Sequence, residues 1–143
     1  MLDEEERFAT AVAVLLDPAT GSVEWVNAGH EPPVLRRAGA ALDELHVTGP
    51  LVCSLTTYSC GAWETGRTML GPGDLLVCHT DGLSEARNGD GDLLGGDAVR
   101  RVLRELPRPT PQEAVRALHL AADRHDTDWT RDDITILAAA LTP

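Results

Sequence analysis

Hydrophobic positions along this chain follow two regimes. Before about residue 80 they form short apolar runs punctuated by Gly, Pro, Asp and Asn, which predicts strands joined by turns. Phe8 to Leu16 and Ser22 to Val26 flank Asp17-Pro18-Ala19-Thr20-Gly21. Pro presets φ there and Gly accepts positive φ, so the segment predicts a β-hairpin. Val34 to Arg36 and Leu42 to Val47 surround Ala38-Gly39-Ala40 and predict a second. Gly71-Pro72-Gly73-Asp74 puts Pro and Gly at the middle positions of a type II turn. It predicts a third hairpin, joining Thr68-Met69-Leu70 to Leu75 through His79.

Helical periodicity begins only after residue 95. Ala98, Val99, Val102, Leu103 and Leu106 recur at three- and four-residue steps until Pro107-Arg108-Pro109 ends the pattern. Thr110-Pro111-Gln112-Glu113 then supplies an N-cap Thr, a Pro at the first helical position and a Glu at the third. This capping box predicts a helix to about Arg124. A last apolar run, Ile134 to Leu137, predicts a closing strand. The order is about six strands, two helices and a final strand, which is an α+β fold around antiparallel sheet.

The chain has 143 residues and is 43% hydrophobic, enough for one domain with a real core. Its formal net charge is -11, and all 12 basic residues are Arg. That acidic balance argues against nucleic acid and anionic membranes as partners, since both would repel it. The longest apolar stretch, Phe8 to Leu16, falls short of the roughly 18–20 residues that span a bilayer. No signal peptide is expected. Cys53, Cys60 and Cys78 lack Cys-x-x-Cys spacing and nearby His pairs, so neither a zinc site nor a disulfide framework is expected. A cytoplasmic location fits this cysteine usage.

Two acidic clusters change the picture. Thr80-Asp81-Gly82 closes the run Leu75-Leu76-Val77-Cys78, and Arg131-Asp132-Asp133 opens Ile134-Thr135-Ile136-Leu137. If these runs are antiparallel neighbours, the end of the first lies beside the start of the second, and Asp81 and Asp132 project from one rim. Such a rim is a candidate site for a hard divalent cation, with substrate phosphate completing its oxygen shell. Taken alone, an Asp-Gly after a strand is more often a turn.

The wider order of motifs is more specific. Phe8-Ala9-Thr10-Ala11, Asp17 to Gly21, Val26-Asn27-Ala28-Gly29-His30-Glu31-Pro32-Pro33, Pro72-Gly73-Asp74-Leu75-Leu76, Thr80 to Asn88 and Asp132-Asp133-Ile134-Thr135 occur in this sequence. Together they resemble the bacterial SpoIIE/RsbU type of PP2C-like serine/threonine phosphatase, from about Phe8 to Leu141. The resemblance implies an αββα sandwich with antiparallel sheets and a rim that binds two Mn²⁺ or Mg²⁺ ions. It further implies a metal-activated water as the attacking group on phosphoserine or phosphothreonine, with no catalytic side chain beyond it. Asp81 and Asp132 become the metal ligands, with Thr80, Gly82, Asp133 and His30 as supporting residues. The implied substrate is a phosphorylated protein, such as the antagonist of an anti-sigma factor, in bacterial signalling.

The family's first Asp-containing metal motif, which bridges its two ions, has no counterpart in Met1 to Arg7. That stretch reads as an acidic leader, and residues 8–143 read as the C-terminal part of a phosphatase domain whose N-terminal portion is missing. Absent strand partners would leave sheet edges that favour a homodimer. An isolated chain of this kind is expected to be inactive. The alternatives are a non-catalytic protein-interaction module derived from such a phosphatase, or a partial product without independent function.

Other candidates are weaker. His30 follows a strand and is more often structural than catalytic. His79 shares the strand parity of Asp81 and reads as a sheet residue. Asn88, Asp90 and Asp92 alternate like a calcium loop, but Leu93 and Val99 stand where Gly and a bidentate Glu are required, so a solvated turn is expected. No Gly-x-Ser-x-Gly elbow or Cys-x5-Arg spacing supports a covalent route.

Overall fold

Turn chemistry at Asp17 to Gly21 produces the first hairpin. The Asp17 carboxylate accepts from the Ala19 N–H at 2.9 Å and the Thr20 hydroxyl at 2.7 Å, and Gly21 takes φ +75° to return the chain. In the computed structural model, which describes residues 8–53, 63–126 and 133–141, this turn joins β2 (Ala11–Leu16) to β3 (Ser22–Ala28) in antiparallel register from Leu16↔Val23 to Ala11↔Ala28. The predicted strand Phe8 to Leu16 breaks at Thr10. Its first two residues, β1 (Phe8–Ala9), pair instead with β6 (Val52–Cys53). The proposed leader Met1 to Arg7 lies outside the described residues, as do Cys60 and Asp132.

The chain divides into two units, residues 1–32 with 45–69 and residues 33–44 with 70–143. In the first, β7 (Gly66–Met69) completes a three-stranded sheet of order β2-β3-β7. Gly66 sits opposite Trp25 in the register, and a Cβ there would overlap the indole, so the ring lies across the place a side chain would take. The indole N–H donates to the His46 carbonyl at 3.1 Å. These contacts, with the Arg67–Glu24 pair at 2.8 Å, fix β7 against β3.

The second unit holds a four-stranded sheet of order β5-β4-β8-β9, with β4 (Val34–Arg36), β5 (Leu42–Glu44), β8 (Leu75–His79) and β9 (Ile136–Ala139), all antiparallel. Its helices are α1 (Asp81–Ser84), α2 (Gly96–Glu105) and α3 (Pro111–His125). The capping box opening α3 forms as expected: Thr110 Oγ1 accepts from the Glu113 N–H, and the Glu113 carboxylate accepts from the Thr110 N–H at 2.8 Å. Ala114, Leu118 and Ala122 make one buried stripe of α3. They join Val99 and Leu103 of α2, Leu83 of α1 and Val34, Leu75 and Val77 of the sheet in a single core. Leu76 is buried as well, so β8 is covered on both faces and its uninterrupted apolar run is the consequence.

One expectation fails. Gly71 to Asp74 does form a tight turn, with Gly73 at φ +81° and the Asp74 N–H on the Gly71 carbonyl at 3.1 Å, but it is not a hairpin. It carries the chain from β7, which pairs with β3, to β8, which pairs with β4 and β9. Turn residues specify a local reversal, whereas strand partners are chosen by packing further away. Asp74 shows the local choice: its buried carboxylate accepts from the N–H groups of Gly71 and Ala38, each at 3.0 Å, and from Arg37 at 2.9 Å. The turn is thereby stapled to the β4–β5 hairpin. The second hairpin forms too, although β5 ends at Glu44 rather than Val47, and its turn places Ala40 at φ +66°.

Arg36 is 2% exposed and has no carboxylate among the described residues. Its guanidinium instead donates to the carbonyls of Leu103 at 2.7 Å and Leu106 at 2.6 Å. A buried cation is thus stabilised by the unpaired carbonyls and negative dipole end of α2.

Burial raises the Asp74 carboxyl, but the Gly71 N–H, Arg37 and the Ala38 N–H together outweigh it and hold the group below its ordinary range. A carboxyl lowered on folding stabilises fully above its unfolded value, and that contribution is lost as pH falls through the folded value. Asp74→Asn is therefore expected to cost about 1–3 kcal/mol at pH 7 and to flatten the loss of stability below about pH 4. Denaturant melts of both proteins between pH 7 and pH 2 check this, and parallel pH profiles would refute it.

Candidate metal centre

The junction after β8 is where two backbone requirements compete. His79 pairs with Ile136, so the next pair down the ladder is Thr80 with Thr135. Half of that pair is ordinary: the Thr80 N–H donates to the Thr135 carbonyl at 3.0 Å. The return bond is not made by the Thr80 carbonyl, which turns into the first turn of α1 and accepts from the Leu83 N–H at 3.1 Å. His79 Nδ1 lies 3.0 Å from the same carbonyl, which it meets as a donor. The Thr80 hydroxyl replaces it, accepting from the Thr135 N–H at 3.0 Å and donating to the Asp133 carbonyl at 3.3 Å. Thr80 precedes a helix yet makes no side-chain cap bond, because its oxygen is used across the strands.

This junction presents Asp81 as the first residue of α1. Its main-chain oxygen accepts from the Glu85 N–H at 2.7 Å and the Ser84 hydroxyl at 3.2 Å, while its side chain is exposed. Among the described residues the Asp81 carboxylate has no hydrogen-bond or ion-pair partner. An exposed, unpaired carboxylate held on a braced backbone suits a hard cation such as Mn²⁺ or Mg²⁺. Among the described residues no group of three or more His, Cys, Asp or Glu side chains gathers to hold a metal. Asp132, the second expected ligand, lies outside them.

The other predicted residues separate. Gly82 is buried within α1, and Asp133 is exposed beside the junction through its carbonyl, so Thr80, Asp81, Gly82 and Asp133 come together. His30 belongs to the other unit. Its ring nitrogen Nδ1 lies 3.2 Å from the Thr10 hydroxyl, and its backbone is held by Asn27. Asn27 is fully buried: its side chain accepts from the His30 N–H at 2.8 Å and donates to the His30 and Leu45 carbonyls at 3.1 and 3.3 Å. Asn27, rather than His30, organises the Asn27 to His30 loop. Sequence reasoning passed over it, although an Asn at the end of an apolar strand signals a side chain that serves backbone groups.

The segment after Asp81 is largely structural. Leu83 and Ala86 are buried in the core, and the Arg87 guanidinium donates to the Gly91 carbonyl at 3.0 Å. Asn88 Oδ1 accepts from the N–H groups of Asp90 at 3.0 Å and Asp92 at 2.8 Å, which is the solvated turn expected in place of a calcium loop. Burial pushes the Cys78 thiol up, away from the thiolate that nucleophilic chemistry needs.

This architecture of helices and antiparallel sheets is the PP2C phosphatase fold. The chain superposes on the SiaA-PP2C domain of Pseudomonas aeruginosa with a TM-score of 0.78 at 22% identity, covering 99% of this chain and 55% of that one. On the phosphatase domain of the cell fate determinant SpoIIE from Bacillus subtilis, presoaked with Mn, the TM-score is 0.70 at 22% identity, covering 94% of this chain and 59% of that one. Protein IcfG of Synechocystis is 28% identical over 98 residues, which are 67% of this chain and 15% of that protein. The chain therefore spans under two thirds of each of these relatives. The sequence profile of the Stage II sporulation protein E (SpoIIE) family matches residues 1–142, and the chain belongs to that family. Among the described residues no helix is long and apolar enough to cross a membrane.

Thr80, the residue before Asp81, is bonded to Asp133 and Thr135. The carboxyl carbons of Asp81 and Asp132 are expected within about 8 Å of each other, the reach of two metal–oxygen bonds plus carboxylate geometry. The distance between the two carboxyl groups in a crystal structure checks this, and a larger separation would rule out a shared ion.

Proposed function

We propose that this chain is part of a metal-dependent protein phosphatase acting on phosphoserine or phosphothreonine in bacterial signalling. The single observation that carries the reading is the β8–β9 junction, where Asp81, exposed and without a partner among the described residues, follows the Thr80 that bonds Asp133 and Thr135, in a chain of the SpoIIE family. Asp81 and Asp132 would hold Mn²⁺ or Mg²⁺, and Asp133 would support them from the adjoining position. When bound, such an ion lowers the pKa of water and offsets the charge of a transferring phosphoryl group. The residues of this chain would supply the oxygen ligands, and the Thr80 hydroxyl holds the backbone at Asp133 and Thr135 beside the residue that precedes Asp81.

Family membership supports a phosphorylated protein as substrate, of the kind that opposes an anti-sigma factor. An acidic surface is compatible with a protein partner and unfavourable to nucleic acid. Residues 8–143 act as one part of such a domain, and Met1 to Arg7 as an acidic leader. No residue of that leader matches the carboxylate that bridges two ions about 3.5–4 Å apart in two-metal sites.

The 143-residue chain is therefore expected to bind Mn²⁺ weakly and to turn over a phosphoserine peptide poorly. Paramagnetic broadening by Mn²⁺ in amide NMR spectra should centre on residues 80–83 and 133–135 and vanish in Asp81→Asn. Broadening that ignores Asp81 would contradict the metal site. Robust Mn²⁺-dependent turnover abolished by Asp81→Asn would show instead that the chain builds a complete site without the bridge.

A further inference from the structure

We infer that the Thr80 hydroxyl is a positioning residue for the metal rim, acting as a substitute backbone acceptor that holds the Asp133 side of the rim in place. This rests on the metal-site reading above. The chain must leave β8 and enter α1 within one residue, so the Thr80 carbonyl is committed to the Leu83 N–H at 3.1 Å. Without another acceptor the Thr135 N–H would be unpaired, and of the Thr80–Thr135 pair only the bond from the Thr80 N–H to the Thr135 carbonyl would remain. The hydroxyl at 3.0 Å fills that place, and its own proton goes to the Asp133 carbonyl at 3.3 Å.

Both bonds come from a side chain with little freedom. A β-branched Thr in extended backbone has a restricted χ1, and Thr80 sits at φ -80° and ψ 160°. Asp81 is its immediate neighbour, and Asp133 is one of the two groups it holds. The hydroxyl therefore ties Asp133 and Thr135 to the residue that precedes Asp81, beside the bond from the Thr80 N–H to the Thr135 carbonyl. Valine keeps the shape and loses both bonds, whereas serine keeps the hydroxyl.

The test uses the ¹⁵N-labelled chain with Mn²⁺ as the probe, in wild type, Thr80→Val, Thr80→Ser, Asp81→Asn and Asp74→Asn. Thr80→Val is expected to speed exchange of the Thr135 amide and to weaken Mn²⁺ binding about 10- to 100-fold, the usual effect of losing a group that orients metal ligands. Thr80→Ser should restore binding. Asp74→Asn destabilises the same unit away from the rim and should leave Mn²⁺ binding unchanged. Wild-type Mn²⁺ affinity in Thr80→Val would overturn the inference, as would an equal loss in Asp74→Asn. Should Thr80→Val not fold, exchange in the wild type decides: a protected Thr135 amide supports the brace and a freely exchanging one refutes it. Failure of the metal-site reading is distinct, because Asp81→Asn would then bind Mn²⁺ like the wild type.

Discussion

At the end of β8 the Thr80 carbonyl turns into α1, where it meets the Leu83 N–H and His79 Nδ1, and the acceptor for the Thr135 N–H across the ladder is a side chain instead. Thr80 gives its carbonyl to α1 and its hydroxyl to the strand beside it, so the Leu83 N–H and the Thr135 N–H both have acceptors. Leaving the Thr135 N–H unpaired would cost about 1–3 kcal/mol wherever water could not reach it. Among the described residues the Asp81 side chain has no hydrogen-bond or ion-pair partner, which supports the proposal that it serves a metal.

The rest of the second unit holds that junction still. Leu83 anchors α1 in the core, and Leu103 and Leu118 close over it from α2 and α3. Burying each such side chain is worth about 1.5–3 kcal/mol. Arg36 adds a polar constraint to this apolar one, because moving the end of α2 would strip a buried guanidinium of its carbonyl partners. Asp74 does the same at the other end of β8, through three donors to one carboxylate. The strand that leads to Asp81 is thus fixed at its start, along both faces and at its end.

Much of this was legible in the sequence, and the reasons differ by element. The capping box of α3 was readable because Thr110, Pro111 and Glu113 act within one turn, and local chemistry decides local structure. The antiparallel pairing of β8 with β9 followed from apolar runs that end and begin in acidic clusters. The false hairpin between β7 and β8 came from the same kind of local signal. Gly71 to Asp74 reverses the chain, but Trp25 lying across Gly66 decides where β7 pairs. Four-residue α1 is too short to show a period, and its start is visible only as a Thr before Asp. The motif Asn27 to His30 drew attention to His30, whereas the buried Asn27 holds the loop, a role that depends on backbone groups distant in sequence.

The central claim is that the end of β8 and the start of β9 form a metal rim through Asp81. A crystal of this chain soaked in Mn²⁺ and measured at the manganese absorption edge tests it most directly. An anomalous peak about 2.0–2.5 Å from an Asp81 carboxylate oxygen is the predicted result. Ordered density for Asp81 with no peak beside it, under Mn²⁺ that saturates any other site on the chain, would contradict the account.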